Sequence, residues 1–444
     1  MSTSTATATL ARFIAASTWP TIPAPLRHEA KRALLNHLGC ALGVAQDPEL
    51  HRLLAVTRAY AGPPTATVIA QRTRLDPLSA AFLNAIASNL LDYDDTHLAT
   101  VIHPAAPVAP AALALAEHHA LPGEHLLHAL LLGAETACRI GLAVSPGHYA
   151  RGWHITATCG VFGAAAAASK LLNLTPAQTT HALGIAASQS AGLVENLPTA
   201  AKNVGVGNAA RHGILSALLA REGLESAPTA LEGPLGWARA MGDTPDLTPI
   251  TENLGTHWEF ARNTYKPYPA GIVFHAVIDA ARHLRATLAP PPDAITSITV
   301  EGDALLLARG DRPVHTHRDA RVSIHHCAAL GLLRGTATPA DFSPAATADP
   351  ALASLRTKTT ARLDPTLPRG AARITLHLTD GTTHTATVTT PRGSLAHPLT
   401  DTELEAKFRD NATAGDAADR ADALIAAIWS LDTTPTAPLA TLLA

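Results

Sequence analysis

Five short stretches of this chain gather side chains able to move protons or hold anions. Asp92-Tyr93-Asp94-Asp95-Thr96-His97 runs on to Thr100 and His103-Pro104. Gly147 to Gly160 crowds glycines, His148, Tyr149, Trp153, His154, Thr156 and Thr158 into fourteen positions. Glu195-Asn196-Leu197-Pro198 leads into Lys202-Asn203-Val204-Gly205-Val206-Gly207-Asn208-Ala209-Ala210-Arg211-His212. Tyr265-Lys266-Pro267-Tyr268-Pro269 and His325-His326 complete the set. Histidine exchanges a proton near neutral pH. Lysine stabilises negative charge that develops during a reaction. A polar loop feeding a helix start, as before Val161 to Leu172, suits an anion.

Each stretch also has an ordinary structural reading. Acidic clusters usually face solvent, a lysine in a glycine-bearing loop is usually exposed, and a histidine on an apolar helix such as that of His326 usually belongs to the core. Residues 265–269 could form only a rigid turn. Several motif classes are absent. Gly205 and Gly207 fit neither GxxxxGK[ST] nor GxGxxG after a strand, and there is no HExxH, EF-hand loop or paired Cys/His spacing. No metal and no cofactor are expected, which leaves acid–base chemistry with electrostatic stabilisation. Cys40, Cys138, Cys159 and Cys327 are too scattered to suggest a disulfide framework, a zinc ribbon or an iron–sulfur cluster.

The elements that must position these residues are mostly helices. The 444 residues are 47% hydrophobic but only 4% aromatic, and alanine-rich, which favours close helix packing. A net charge of −3 gives no basic footprint for nucleic acid. Helical spacing marks Leu10 to Ala16, a helix opened by Pro25, His51 to Tyr60, Pro77 to Leu91, Ala209 to Glu222 and Phe274 to Leu288. Leu126 to Val144 is interrupted by His128, Glu135 and Arg139, so it reads as a buried helix and not a membrane span. Asp92 to Thr96 sits at a helix C-terminus, where carboxylates oppose the dipole. Thr175 with Gln178, and Thr400 with Glu403, form capping boxes. After Ala289-Pro290-Pro291-Pro292-Asp293 the pattern changes. Ile295 to Val300 is strand-like, and Arg373 to Leu378 alternates up to an Asp380-Gly381 hairpin before His384 to Thr389. The sequence predicts a mainly α protein: a large all-helical domain, 1–265 and 396–444, with a smaller α+β lid domain, 266–395. Met1 to Phe13 lacks the pattern of a secretory signal, although its want of acidic residues leaves organelle targeting open. The expected location is cytoplasmic.

Taken in order, these pieces resemble the MmgE/PrpD family over nearly the whole chain. The resemblance rests on Asp92 to Thr96 with His103-Pro104, Gly152-Trp153-His154, Lys202 through Arg211, Lys266 to Pro269, Val322-Ser323-Ile324-His325-His326, and Arg392-Gly393-Ser394 through Phe408. It implies a homodimer with a cofactor-free site between the domains, acting on di- or tricarboxylates. Carried over by position, the pocket residues are Asp92, Thr96, His103, His154, Lys202, Lys266 and His326. Two departures from the family's decarboxylases stand out: the segment from Thr96 to His103 is one residue longer, and His326 stands where they have a tyrosine.

The chemistry that resemblance implies has one shared difficulty, a carbanion-like centre beside a carboxylate. Cations aimed at the carboxylate oxygens stabilise it, a role for Lys202 and Lys266. Thr96 and backbone N–H groups near Gly205 and Gly207 would add donors, and Tyr268 a further substrate contact. His103 and His154 are the first candidates for proton transfer, His326 the third. Asp92 would orient a histidine or balance the lysines. The expected activity is dehydration of a 2-methylcitrate-like substrate. Decarboxylation of cis-aconitate to itaconate is the alternative, followed by an iminodisuccinate-type epimerisation. The retained lysines and histidines argue against a non-catalytic binding homologue.

Overall fold

The computed structural model describes residues 5–444. Residues 1–4, part of the Met1 to Phe13 stretch considered above for targeting, lie outside them. The helices of eight or more residues, in chain order, are α1 Ala6–Ala16, α2 Ala24–Leu42, α3 Pro48–Arg58, α4 Pro77–Asn89, α5 Ala105–His118, α6 Gly123–Val144, α7 Ile155–Leu171, α8 Pro176–Ala187, α9 Ala200–Arg221, α10 His275–Leu288, α11 Ile324–Arg334, α12 Pro350–Thr357, α13 Asp401–Ala414, α14 Ala421–Trp429 and α15 Thr436–Leu443. The main sheet has four strands: β1 Ile295–Gly302, β2 Thr359–Leu363, β3 Ala372–Leu378 and β4 Thr383–Val388. The protein is thus mainly α with a small α+β portion. The chain divides into two compact units. Among the described residues, one comprises 5–90, 94–263 and 400–444, the other 91–93 and 264–399.

In the first unit α7 is the central helix, and every residue of it except Lys170 is buried. Its alanines and glycines allow neighbours to approach on several sides. A Cβ at Gly163 would lie 2.6 Å from the Gly133 carbonyl of α6, one at Gly213 of α9 would lie 2.3 Å from Ala164, and one at Gly160 would lie 2.5 Å from Pro107 of α5. Small residues thus set the helix spacing, and bulk cannot be added without moving backbone. In α6, Glu135 pairs with Arg139 inside the core. Arg139 also donates to the carbonyls of Pro249, Glu252 and His257 at 2.6–2.8 Å. This helix is long and apolar enough to cross a membrane by length and composition, and 94% of its apolar window is buried inside the unit.

The second unit packs α10 and α11 beside the sheet, whose order is β2-β1-β3-β4. Phe274, Ile278, Ile298, Val300, Ile324 and Ile374 are among its core residues. β1 is antiparallel to β3, and β3 to β4 through the Asp380-Gly381 turn, where Gly381 takes φ +84°. β2 runs parallel to β1. Its run Thr359-Thr360-Ala361-Arg362-Leu363 carries only two apolar residues, Ala361 and an exposed Leu363, too weak a pattern to mark a strand.

Candidate active-site groups

The acidic stretch after α4 is not a solvated surface. Asp94, Asp95 and Thr96 are at most 1% exposed. Asp95 closes the start of α5: its Oδ2 accepts from the Ala105 N–H at 3.1 Å and from Asn263 Nδ2 at 2.9 Å. It supplies the cap that Pro104 cannot. Asp94 accepts from Asn89 Nδ2. Asn89 is oriented in turn by Asn203 of α9, whose Nδ2 donates to the Asn89 carbonyl at 2.8 Å and to its Oδ1 at 2.9 Å.

These buried groups converge on His103. Its Nδ1 lies 2.7 Å from the Asp95 carbonyl, 3.2 Å from Thr96 Oγ1 and 3.6 Å from Asp94 Oδ1. A carbonyl only accepts, so Nδ1 carries the hydrogen and, in the neutral ring, Nε2 is the basic nitrogen. Asp94 stabilises the charged ring. The sequence offered Asp92 either for orienting a histidine or for balancing the lysines, and did not single out Asp94, Asn89 or Asn203. The run of aspartates was the signal for the first, and adjacency to Lys202 for the last.

His154 directly precedes α7 and is 3% exposed. A short helical turn, Gly147–Ala150, interrupts the preceding stretch, which is therefore not the plain loop expected. Gly152 takes φ +99°, which glycine alone adopts without strain. The His154 N–H then donates to Gly192 O at 3.0 Å, and Val194 N–H to Gly152 O at 2.7 Å. A Cβ at Gly192 would sit 2.8 Å from Ala157, so the two backbones need that glycine. His148 lies beneath: its Nδ1–H donates to the Met241 carbonyl, its Nε2 accepts from Thr158, and it stacks on Trp153. Burial lowers its pKa. His148 is a core histidine, and His154 is the one at the helix start. The His103 N–H donates to Thr156 Oγ1 at 3.1 Å, which ties His103 to the first turn of α7.

Lys202 is 6% exposed and lies in the first turn of α9, not in a loop. This corrects the expectation around Gly205 and Gly207. Both are inside the helix, where the backbone N–H is used by the helix itself, so neither offers a donor to a substrate. Gly207 is required by packing, because a Cβ there would lie 2.7 Å from the Phe82 carbonyl of α4.

The second unit holds Asp92, Lys266, Tyr268 and His326. Lys266 is fully buried, and its Nζ donates to Asp92 Oδ1 at 2.9 Å and to the Asp92 carbonyl at 3.1 Å. Asp92 adopts φ +53° to present both oxygens. The pair has the geometry of one of its two expected roles, balancing a lysine. Tyr268 gives its one hydroxyl hydrogen to Asp279 at 2.6 Å and accepts from Arg282. Burial and Asp279 push its pKa up. With that hydrogen committed, Tyr268 is corrected from a substrate ligand to part of the scaffold. His326 has both ring nitrogens engaged, Nε2–H with the Asp341 carbonyl and Nδ1 with Arg356, each at 3.2 Å. Burial holds its pKa down to about 4, the Asp341 carbonyl bond works the other way, and Arg356 and Arg334 lower it further. The ring is neutral at pH 7.

Two family models cover the chain: the MmgE/PrpD N-terminal domain matches residues 8–250, and the C-terminal domain residues 268–433. Cis-aconitate decarboxylase of Homo sapiens is 32% identical over 422 residues, covering 91% of this chain and 87% of that protein. A cis-aconitate decarboxylase-like protein of Aspergillus oryzae is 30% identical over 445 residues, with 93% and 91% covered. A 2-methylcitrate dehydratase of Cupriavidus necator is 26% identical over 395 residues, with 80% and 78% covered. Its relatives are thus decarboxylase and dehydratase enzymes, and the chain belongs to the MmgE/PrpD family.

Proposed function

We propose that this protein is a cofactor-independent carboxy-lyase acting on cis-aconitate or a close tricarboxylate analogue. The observation that carries the reading is His103: its Nδ1 is tied to the Asp95 carbonyl beside Asp94, which makes Nε2 the basic nitrogen of the neutral ring. The greater similarity to decarboxylases than to the dehydratase favours carboxy-lyase chemistry over the dehydration read first from the sequence. In the reaction the C–CO₂ bond of the saturated arm breaks. Its electron pair enters the allylic system, the double bond shifts, and a proton is delivered to the former vinyl carbon. CO₂ and itaconate leave. Lys202 and Lys266 offset the charge that spreads onto the remaining carboxylates, and His103, with His154 as the second candidate, supplies the proton. Dehydration of a 2-methylcitrate-like substrate is the second reading, favoured by the 2-methylcitrate dehydratase relative.

The test is incubation of the purified protein with cis-aconitate, 2-methylcitrate and iminodisuccinate, with products followed by NMR. Itaconate is expected from the first. A new alkene without CO₂ from 2-methylcitrate would select dehydration, and racemised iminodisuccinate an epimerase. Lys202→Ala and Lys266→Ala are expected to lower kcat/KM by about 10²-fold or more while the protein stays folded. EDTA is expected to leave turnover unchanged. We further propose a homodimer, to be checked by light scattering.

A further inference from the structure

We propose that His97 and Glu259 are positioning residues that fix the loop carrying Thr96 and His103. His97 is fully buried and Glu259 is 6% exposed. The carboxylate Oε2 lies 2.9 Å from His97 Nε2, so that nitrogen carries a hydrogen. On the other side of the ring, Nδ1 lies 2.9 Å from Thr100 Oγ1. That hydroxyl also accepts from the Ile102 N–H and lies within reach of the His97 carbonyl, both at 3.3 Å.

The backbone closes around the same ring. The His97 N–H donates to Ile102 O, and the Val101 N–H to His97 O, both at 2.8 Å. Val101 takes φ +58°, a conformation that a β-branched residue holds only where its surroundings impose it. The ring of His97 and the hydroxyl of Thr100 are those surroundings. His103 follows Ile102 directly, so the ring sets where the proton-transferring imidazole begins.

The other end of the tie is anchored in the core. Glu259 Oε1 meets His257 Nε2 at 2.9 Å, and Arg262 Nη1 lies 3.1 Å from Oε2. The next residue, Phe260, donates its N–H to the buried Glu135 at 2.8 Å. Arg139 holds the His257 carbonyl at 2.6 Å. The bond from His97, with those from His257 and the charge of Arg262, holds the Glu259 carboxyl down to about 2 against the effect of burial, so it is ionised throughout the working pH range. Because both ring nitrogens of His97 are engaged inside the protein, it acts through the loop and not on a substrate.

The proposal rests on His103 as the proton-transferring group. The experiment uses the full-length protein and whichever substrate it turns over. His97→Phe is expected to lower kcat by about 10–100-fold with KM changed by less than about threefold, the cost of a misplaced catalytic group. His97→Gln, which can still donate to Glu259, is expected to recover most of that loss. A residue serving stability alone would show neither the split nor the rescue. Should His97→Phe fail to fold, Thr100→Val decides, with an expected fall in kcat of about 3–30-fold at constant KM. His103→Gln is measured in parallel. If it keeps turnover, the reading of His103 is overturned and the proposal with it. If it is inactive while His97→Phe or Thr100→Val keeps wild-type kcat, the positioning alone is overturned.

Discussion

At the scale of single residues, the feature that matters most is the division of labour among three aspartates only one residue apart or adjacent. Asp92 turns to Lys266, Asp94 approaches His103, and Asp95 caps α5. The residue types and their closeness were legible in the sequence, but the assignment was not. It depends on the left-handed turn at Asp92, and nothing in the chain marks that turn beyond the tolerance of aspartate for it. The roles are separable by experiment. Asp94→Asn removes the charge 3.6 Å from His103 Nδ1 but keeps the side chain's size. It is expected to lower kcat by about 10–100-fold. Steady-state kinetics beside a thermal melt check this, and unchanged kcat would remove Asp94 from the site. Tyr268 shows the converse limit. An aromatic hydroxyl beside Lys266 reads like a ligand until Asp279, eleven positions later, is seen to hold its hydrogen.

At the scale of elements, the helices with apolar periodicity and capping residues were readable. The boxes at Thr175–Gln178 and Thr400–Glu403 are both formed. The missed elements lacked such signals. The first turns of α9 carry Lys202, Asn203, Gly205 and Gly207, a composition that suggests a loop, and tertiary packing against α4 and α7 overrides it. That packing needs small residues, and the requirement can be measured. A Cβ at Gly133 of α6 would lie 2.5 Å from the Gly163 carbonyl, a backbone atom of the central helix that cannot swing away. Gly133→Ala should therefore destabilise the protein by about 1–3 kcal/mol, although alanine favours helix in isolation. Urea unfolding of the two proteins checks the sign, and a more stable variant would show that α6 and α7 can separate without penalty.

At the scale of the whole molecule, the 23 histidines become a pH-dependent term in stability. Burial holds the pKa of His37 down to about 3, although Asp94 pulls it up, and holds that of His128 down to about 3 with Lys170 and His125 adding to the effect. His326 is held to about 4. In each case the folded value lies below the unfolded value near 6.5, so the unfolded chain binds more protons in between. The stability these rings contribute is complete above about pH 6.5 and is lost as pH falls toward 3–4. Glu135, raised by burial despite Arg139, works in the opposite direction. His37 isolates one histidine: it is 1% exposed, and neither ring nitrogen has a hydrogen-bond partner among the described residues, so its replacement removes a titration without removing a bond. Between pH 7 and pH 5 a histidine of this kind costs about 2 kcal/mol of stability. His37→Leu should narrow the pH 7 to pH 5 difference in unfolding free energy by about that amount. Trp19, Trp153, Trp237, Trp258 and Trp429 all lie in the first unit, as does His37, so tryptophan fluorescence in urea reports the unit concerned. Equal pH dependence in wild type and variant would mean that the His37 ring reaches solvent and takes up its proton without unfolding.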